Sequence, residues 1–70
     1  MTMYNLKNIK TANGNYIYDS VTANIFEIEN EIADGITDAV TAMNNNVRLD
    51  TKAYRELEDA INNDLIKPLN

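Results

Sequence analysis

The chain contains no cysteine, no histidine and no tryptophan. Without cysteine there is no disulfide framework and no thiolate chemistry. Without histidine, the usual general base and the commonest transition-metal ligand are both missing. Ser20 is the only serine, and no His or Cys exists to activate any hydroxyl as a nucleophile. Glycine occurs only at Gly14 and Gly35, and neither is followed by the Lys-Ser/Thr pair that a phosphate-binding loop needs. Setting Gly35 at the invariant glycine of an EF-hand loop puts Asn30 first and Ile32 third, which destroys the ligand set. The expectation is a non-enzyme with no cofactor and no metal.

Long apolar runs are missing too. None approaches the ~20 residues that cross a bilayer, and nothing resembles a signal peptide. A cytoplasmic location follows, in a bacterium or in an infected host cell, with no membrane partner.

Positive charge is scarce. Six basic residues face eleven acidic ones, for a net charge of −5. Between Lys10 and Arg48 there is no basic residue, whereas Asp19, Glu27, Glu29, Glu31, Asp34 and Asp38 all fall in that interval. This balance argues against direct nucleic-acid binding, which works by neutralising phosphate. It suits a partner protein with a basic surface.

Seventy residues make one small domain, 1–70. A chain of this size buries only about 60% of its unfolded surface, so self-association is the readiest further source of buried area, and a homodimer is expected.

The fold class expected is α+β and mainly helical: an N-terminal β-hairpin followed by an antiparallel αα-hairpin. Residues 3–19 read as the hairpin, with Asn13-Gly14 as a type I′ turn. Centred there, Ile9 pairs with Tyr18 and Thr11 with Tyr16, and the face carrying Ile9, Thr11, Tyr16 and Tyr18 is expected to lie on the helices. A competing reading, all-α, makes residues 3–12 a short helix. Helix 1 is predicted over 21–43, capped by Asp19 or Ser20 and ended by Asn44-Asn45-Asn46. Helix 2 is predicted over 50–66, with Asp50 as N-cap and Pro68 beyond its end.

On a helix over 21–43, Glu27, Glu31, Asp34 and Asp38 have spacing i, i+4, i+7, i+11 and form one negative line opposite the apolar arc. They are the candidate partner-binding residues. Glu29 joins them as an anomaly, because the same wheel turns it into the apolar arc, where an unpaired carboxylate is costly. Gly35, Ala39 and Ala42 make a smooth strip on which a helix could approach closely, either helix 2 or a second subunit.

The function these features imply is a small acidic protein-binding module that inhibits or modulates a larger protein or nucleoprotein. Its size, acidity and Asn/Ile-rich makeup are similar to those of small phage-encoded inhibitors of host enzymes or defence systems, a likeness of type and not of motif. Two alternatives stand beside it: a self-associating structural or assembly protein, and a DNA mimic.

Overall fold

Two helices lie on one face of a three-stranded antiparallel sheet in the computed structural model, which describes residues 3–69. The order along the chain is β1 (Leu6–Thr11), β2 (Gly14–Asp19), β3 (Ile25–Ile28), α1 (Asn30–Asn44) and α2 (Lys52–Asn62). The strands lie in the order β1-β2-β3, so β1 and β3 are both edges. The fold is α+β, and residues 6–11 are a strand and not part of a helix. The two helices are not the expected antiparallel αα-hairpin but run the same way: Glu31 and Gly35 meet Lys52 and Ala53 near both N-terminal ends, and Met43 and Ile61 line one hollow near both C-terminal ends. Among the described residues no helix is long and apolar enough to cross a membrane.

The first hairpin forms with a shifted register. Thr11 pairs with Gly14 and Ile9 with Tyr16, which leaves Ala12-Asn13 as the two-residue loop in place of Asn13-Gly14. Neither loop residue has positive φ; Gly14, just past the turn, takes φ +149°. The Thr11 hydroxyl holds this turn, accepting from the Asn13 N–H (3.2 Å) and donating to the Gly14 carbonyl (3.0 Å). A slip of two residues keeps every side chain on its face, but the faces are used the other way round. Ile17 is fully buried beneath the helices, with Asn15 and Asp19 beside it, while Ile9 is 37% exposed. The tyrosine face looks outward and the Ile17 face makes the core.

The larger correction concerns residues 21–29. They are not the first turns of a helix: residues 25–28 form β3, in register with β2 through Ile17↔Phe26 and Tyr16↔Glu27. Val21, Thr22, Asn24, Ile25, Phe26 and Ile28 are all weak helix formers, and several are strong strand formers. Their alternation turns Phe26 and Ile28 inward and leaves Ile25 59% exposed. Helix α1 therefore starts at Asn30, with Glu29 as its N-cap.

Asp19 does cap backbone, but in the β2–β3 connection. Its carboxylate is fully buried and accepts from the N–H groups of Val21 (3.2 Å), Thr22 (3.3 Å) and Lys67 (3.0 Å). The Thr22 hydroxyl lies 2.9 Å from Asp19 Oδ2 and 3.1 Å from the Leu65 carbonyl oxygen. Asn24 Nδ2 donates to that same carbonyl. Ala23 turns the loop with φ +63°, a left-handed conformation that L-residues rarely take. One acid thus fastens the turn to the C-terminal segment, whose Ile66 is buried in the core.

Both helices end alike. The Val47 N–H bonds to the Ala42 carbonyl past a left-handed Asn46, and the Leu65 N–H bonds to the Ala60 carbonyl past a left-handed Asp64. These are Schellman terminations, with Asn and Asp where glycine is commonest. Helix α2 therefore stops at Asn62, before the predicted 66. Its N-cap is Thr51, whose hydroxyl accepts from the Tyr54 N–H (3.2 Å). Asp50, one residue earlier, instead makes an exposed ion pair with Arg55 at 2.9 Å.

The core gathers Ile17, Ile32, Ile36, Ala39, Ala53, Leu57, Ala60 and Ile66. Helix α1 packs on β1 and β2, and α2 packs chiefly on α1. Gly35 sets how closely the helices approach: a Cβ there would stand 2.9 Å from the Cβ of Ala53.

Candidate functional site: the carboxylates around β3 and α2

The four-residue acidic line does not survive the change of element. Glu27 projects from the outer face of β3, and only Glu31, Asp34 and Asp38 remain on α1. Two of those three have cations. Asp34 lies 3.8 Å from Lys10, and Glu31 lies 3.7 Å from Lys52. Glu29 is not in the apolar arc: as the α1 N-cap it points to solvent and pairs with Lys52 at 3.4 Å. Lys52 thus serves two carboxylates, and the hydrogen bond with Glu29 holds its ammonium above the usual lysine range.

Gly35, Ala39 and Ala42 do lie together, but on the inside. Ala39 is fully buried and Ala42 is 7% exposed, and Gly35 meets Ala53 of α2. Within the chain, Ala39 and Ala42 are buried and the second helix meets the strip at Gly35.

Glu27, Asp38, Glu56, Asp59 and Asp64 make no ion pair among the described residues. Of these, Asp64 serves the helix end. Glu56 and Asp59 are spaced i, i+3 on α2 and lie on one side of it. Glu56, Glu27 and Glu29 line a groove of about 190 Å³, floored by Phe26, Ile28 and Ile32. This groove runs beside β3, between the strand and α2.

The main-chain hydrogen bonds show which way that edge points. The Asp19 N–H donates to the Asn24 carbonyl at 2.9 Å, one step beyond the Tyr18↔Ile25 pair. Bonded and non-bonded pairs alternate in an antiparallel ladder. Phe26 and Ile28 therefore bond to β2, and the N–H and C=O groups of Ile25 and Glu27 point away from it. The other ladder agrees: the Ser20 N–H donates to the Asn5 carbonyl, so Tyr16 and Tyr18 bond toward β1.

Sequence reasoning missed this site because it placed residues 21–29 in a helix. The signal available was the alternation of Ile25-Phe26-Glu27-Ile28 among poor helix formers.

A second hollow, of about 640 Å³, lies at the hairpin tip between Lys10, Asn15, Asn30 and Asp34. Four of its polar side chains are already engaged, Lys10 with Asp34 and Asn15 with Asn30. Among the described residues no group of three or more acidic, His or Cys side chains is placed to hold a metal ion. No protein-family model matches the chain, nor does any curated protein or solved structure.

Proposed function

We propose that the protein is a small acidic binding module, without enzymatic activity, that modulates or blocks a larger protein with a basic surface. The observation that carries this reading is the uncompensated charge along β3 and α2. Glu27, Glu56 and Asp59 have no cation among the described residues, while most of the few basic side chains are spent elsewhere. A row of exposed like charges contributes nothing to stability on its own. It does steer a basic partner and fix how that partner docks. The non-enzymatic part of the proposal rests on the missing His and Cys and on the single serine.

The test is affinity capture from a bacterial lysate with mass spectrometry, comparing wild type with a chain carrying Glu27→Lys, Asp38→Lys, Glu56→Lys and Asp59→Lys. A specific partner is expected with wild type and is lost on charge reversal, while the far-UV circular dichroism is unchanged. Undiminished capture by the reversed chain would contradict the acidic surface.

A further inference from the structure

We infer that the β3 edge takes an extended basic segment of the partner as a fourth strand, with α2 as the roof over it. The inference rests on the reading of the protein as a binder of basic partners and specifies how the partner is held. Three features converge on this place: open main-chain groups, a groove between β3 and α2, and uncompensated negative charge.

The N–H and C=O groups of Ile25 and Glu27 are directed outward from an edge strand. Such a row is a template for strand addition, in which main-chain bonds supply affinity and alternate side chains supply choice. The two layers also differ in width. Two helices side by side cover about 20 Å, whereas three strands at about 4.8 Å spacing cover only about 14 Å. The difference is close to one strand. Helix α1 sits over β1 and β2, so the overhang falls beyond β3, where Glu56 of α2 faces Phe26 and Ile28 across the groove.

An added strand would alternate its side chains as β3 does. Residues opposite Phe26 and Ile28 enter the groove over an apolar floor that includes Ile32. A residue opposite Glu27 stands on the outer face as its cross-strand neighbour, close enough for an opposite charge to stabilise the pair. Glu56 stands at the mouth of the groove, and Glu29 there is already paired with Lys52. The fitting segment therefore carries Lys or Arg opposite Glu27 on the outer face and aliphatic residues in the groove. A second copy pairing β3 with β3 would bring Glu27 and Glu29 toward their own counterparts, which repel. A second copy offering its basic β1 carries α1 above that strand, and α1 would collide with the overhanging α2. A segment without its own helix layer fits where a copy does not.

The probe is an acetylated, amidated octapeptide alternating lysine and valine, titrated into the full chain and followed by two-dimensional amide NMR. Its partners in the comparison are the glutamate–valine octapeptide and the lysine–valine peptide N-methylated at alternate residues. The basic peptide is expected to bind, shifting the Ile25 and Glu27 amides most, and both comparison peptides to fail. Glu27→Lys should weaken binding at least tenfold. Ile25→Pro, which removes one outward N–H and leaves the β2 ladder intact, should also weaken it.

Equal binding by the N-methylated peptide would overturn the fourth strand, as would shifts centred away from β3 or no binding at all. Sedimentation showing self-association through β3 would overturn the choice of occupant. If lysate capture is charge-dependent but the edge amides do not respond to the peptide, the binding module stands and the fourth strand falls. If the edge binds the peptide but charge reversal leaves capture intact, the edge site stands and the acidic docking reading falls.

Discussion

Asp19 and Glu27 stand on neighbouring strands and carry the same charge, yet the molecule uses them in opposite ways. Asp19 is fully buried and accepts from three backbone N–H groups, with a hydroxyl 2.9 Å away. Glu27 is exposed and makes no ion pair among the described residues. At Asp19, satisfied hydrogen bonds compensate a buried charge and join the β2–β3 turn to the C-terminal segment. At Glu27, whose carboxylate lies over Gly14 of β2, no ion pair among the described residues offsets the charge, and the strand edge beside it is open. The comparison separates carboxylates the fold needs from carboxylates it can spare.

The largest expected effect breaks the Asp19 side. Asp19→Ala removes the shared acceptor of the Val21, Thr22 and Lys67 N–H groups and empties a fully buried position, and should destabilise the chain by about 3 kcal/mol. Urea unfolding followed by circular dichroism reads this directly, and a loss within error of zero would show that the turn is held otherwise. Next comes the helix contact beneath the acidic α2. Gly35→Ala improves helix propensity but drives a methyl to 2.9 Å from Ala53 Cβ. Overpacking should win by about 1–2 kcal/mol. Adding Ala53→Gly should recover much of that overpacking cost, so a purely additive double variant would contradict the close approach. The smallest stability effect belongs to the edge acids: Glu27→Lys and Glu56→Lys should each stay within about 0.5 kcal/mol of wild type, because neither side chain holds anything in place. The same two changes should nevertheless abolish partner capture, which is the contrast in its sharpest form.

Much of this architecture can be read from the residues alone. The hairpin follows from Asn13-Gly14, although the glycine serves just after the turn and not within it. The end of α1 follows from Asn44-Asn45-Asn46, which tolerate the left-handed conformation, whereas the end of α2, expected at 66 ahead of Pro68, falls at Asn62 because Asp64 turns left-handed. The close helix contact at Gly35 was visible as a strip of small residues, but only the packing shows that Ala53 fills it. What misled was period. Ile25, Phe26, Ile28 and Ile32 fit one arc of a helix and also fit a strand that runs into a helix at Asn30. Short apolar runs carry that ambiguity, and tertiary pairing with β2 decides it. Once β3 is a strand, Glu27 leaves the helical line and Glu29 becomes a cap, so the acidic surface is rebuilt around β3 and α2. The choice of sheet face failed for a related reason. Two tyrosines outweigh Ile17 in hydrophobic area, but tyrosine is content half-buried with its hydroxyl in water, whereas Ile17 is not.

The most direct test of the open edge is amide hydrogen exchange in the folded chain, residue by residue, with and without the lysine–valine peptide. The amides of Phe26 and Ile28 should exchange slowly in the free chain, and those of Ile25 and Glu27 quickly, with the latter two slowed when peptide is added. Equal protection of all four amides in the free chain would mean that the edge is already paired, and would contradict the account.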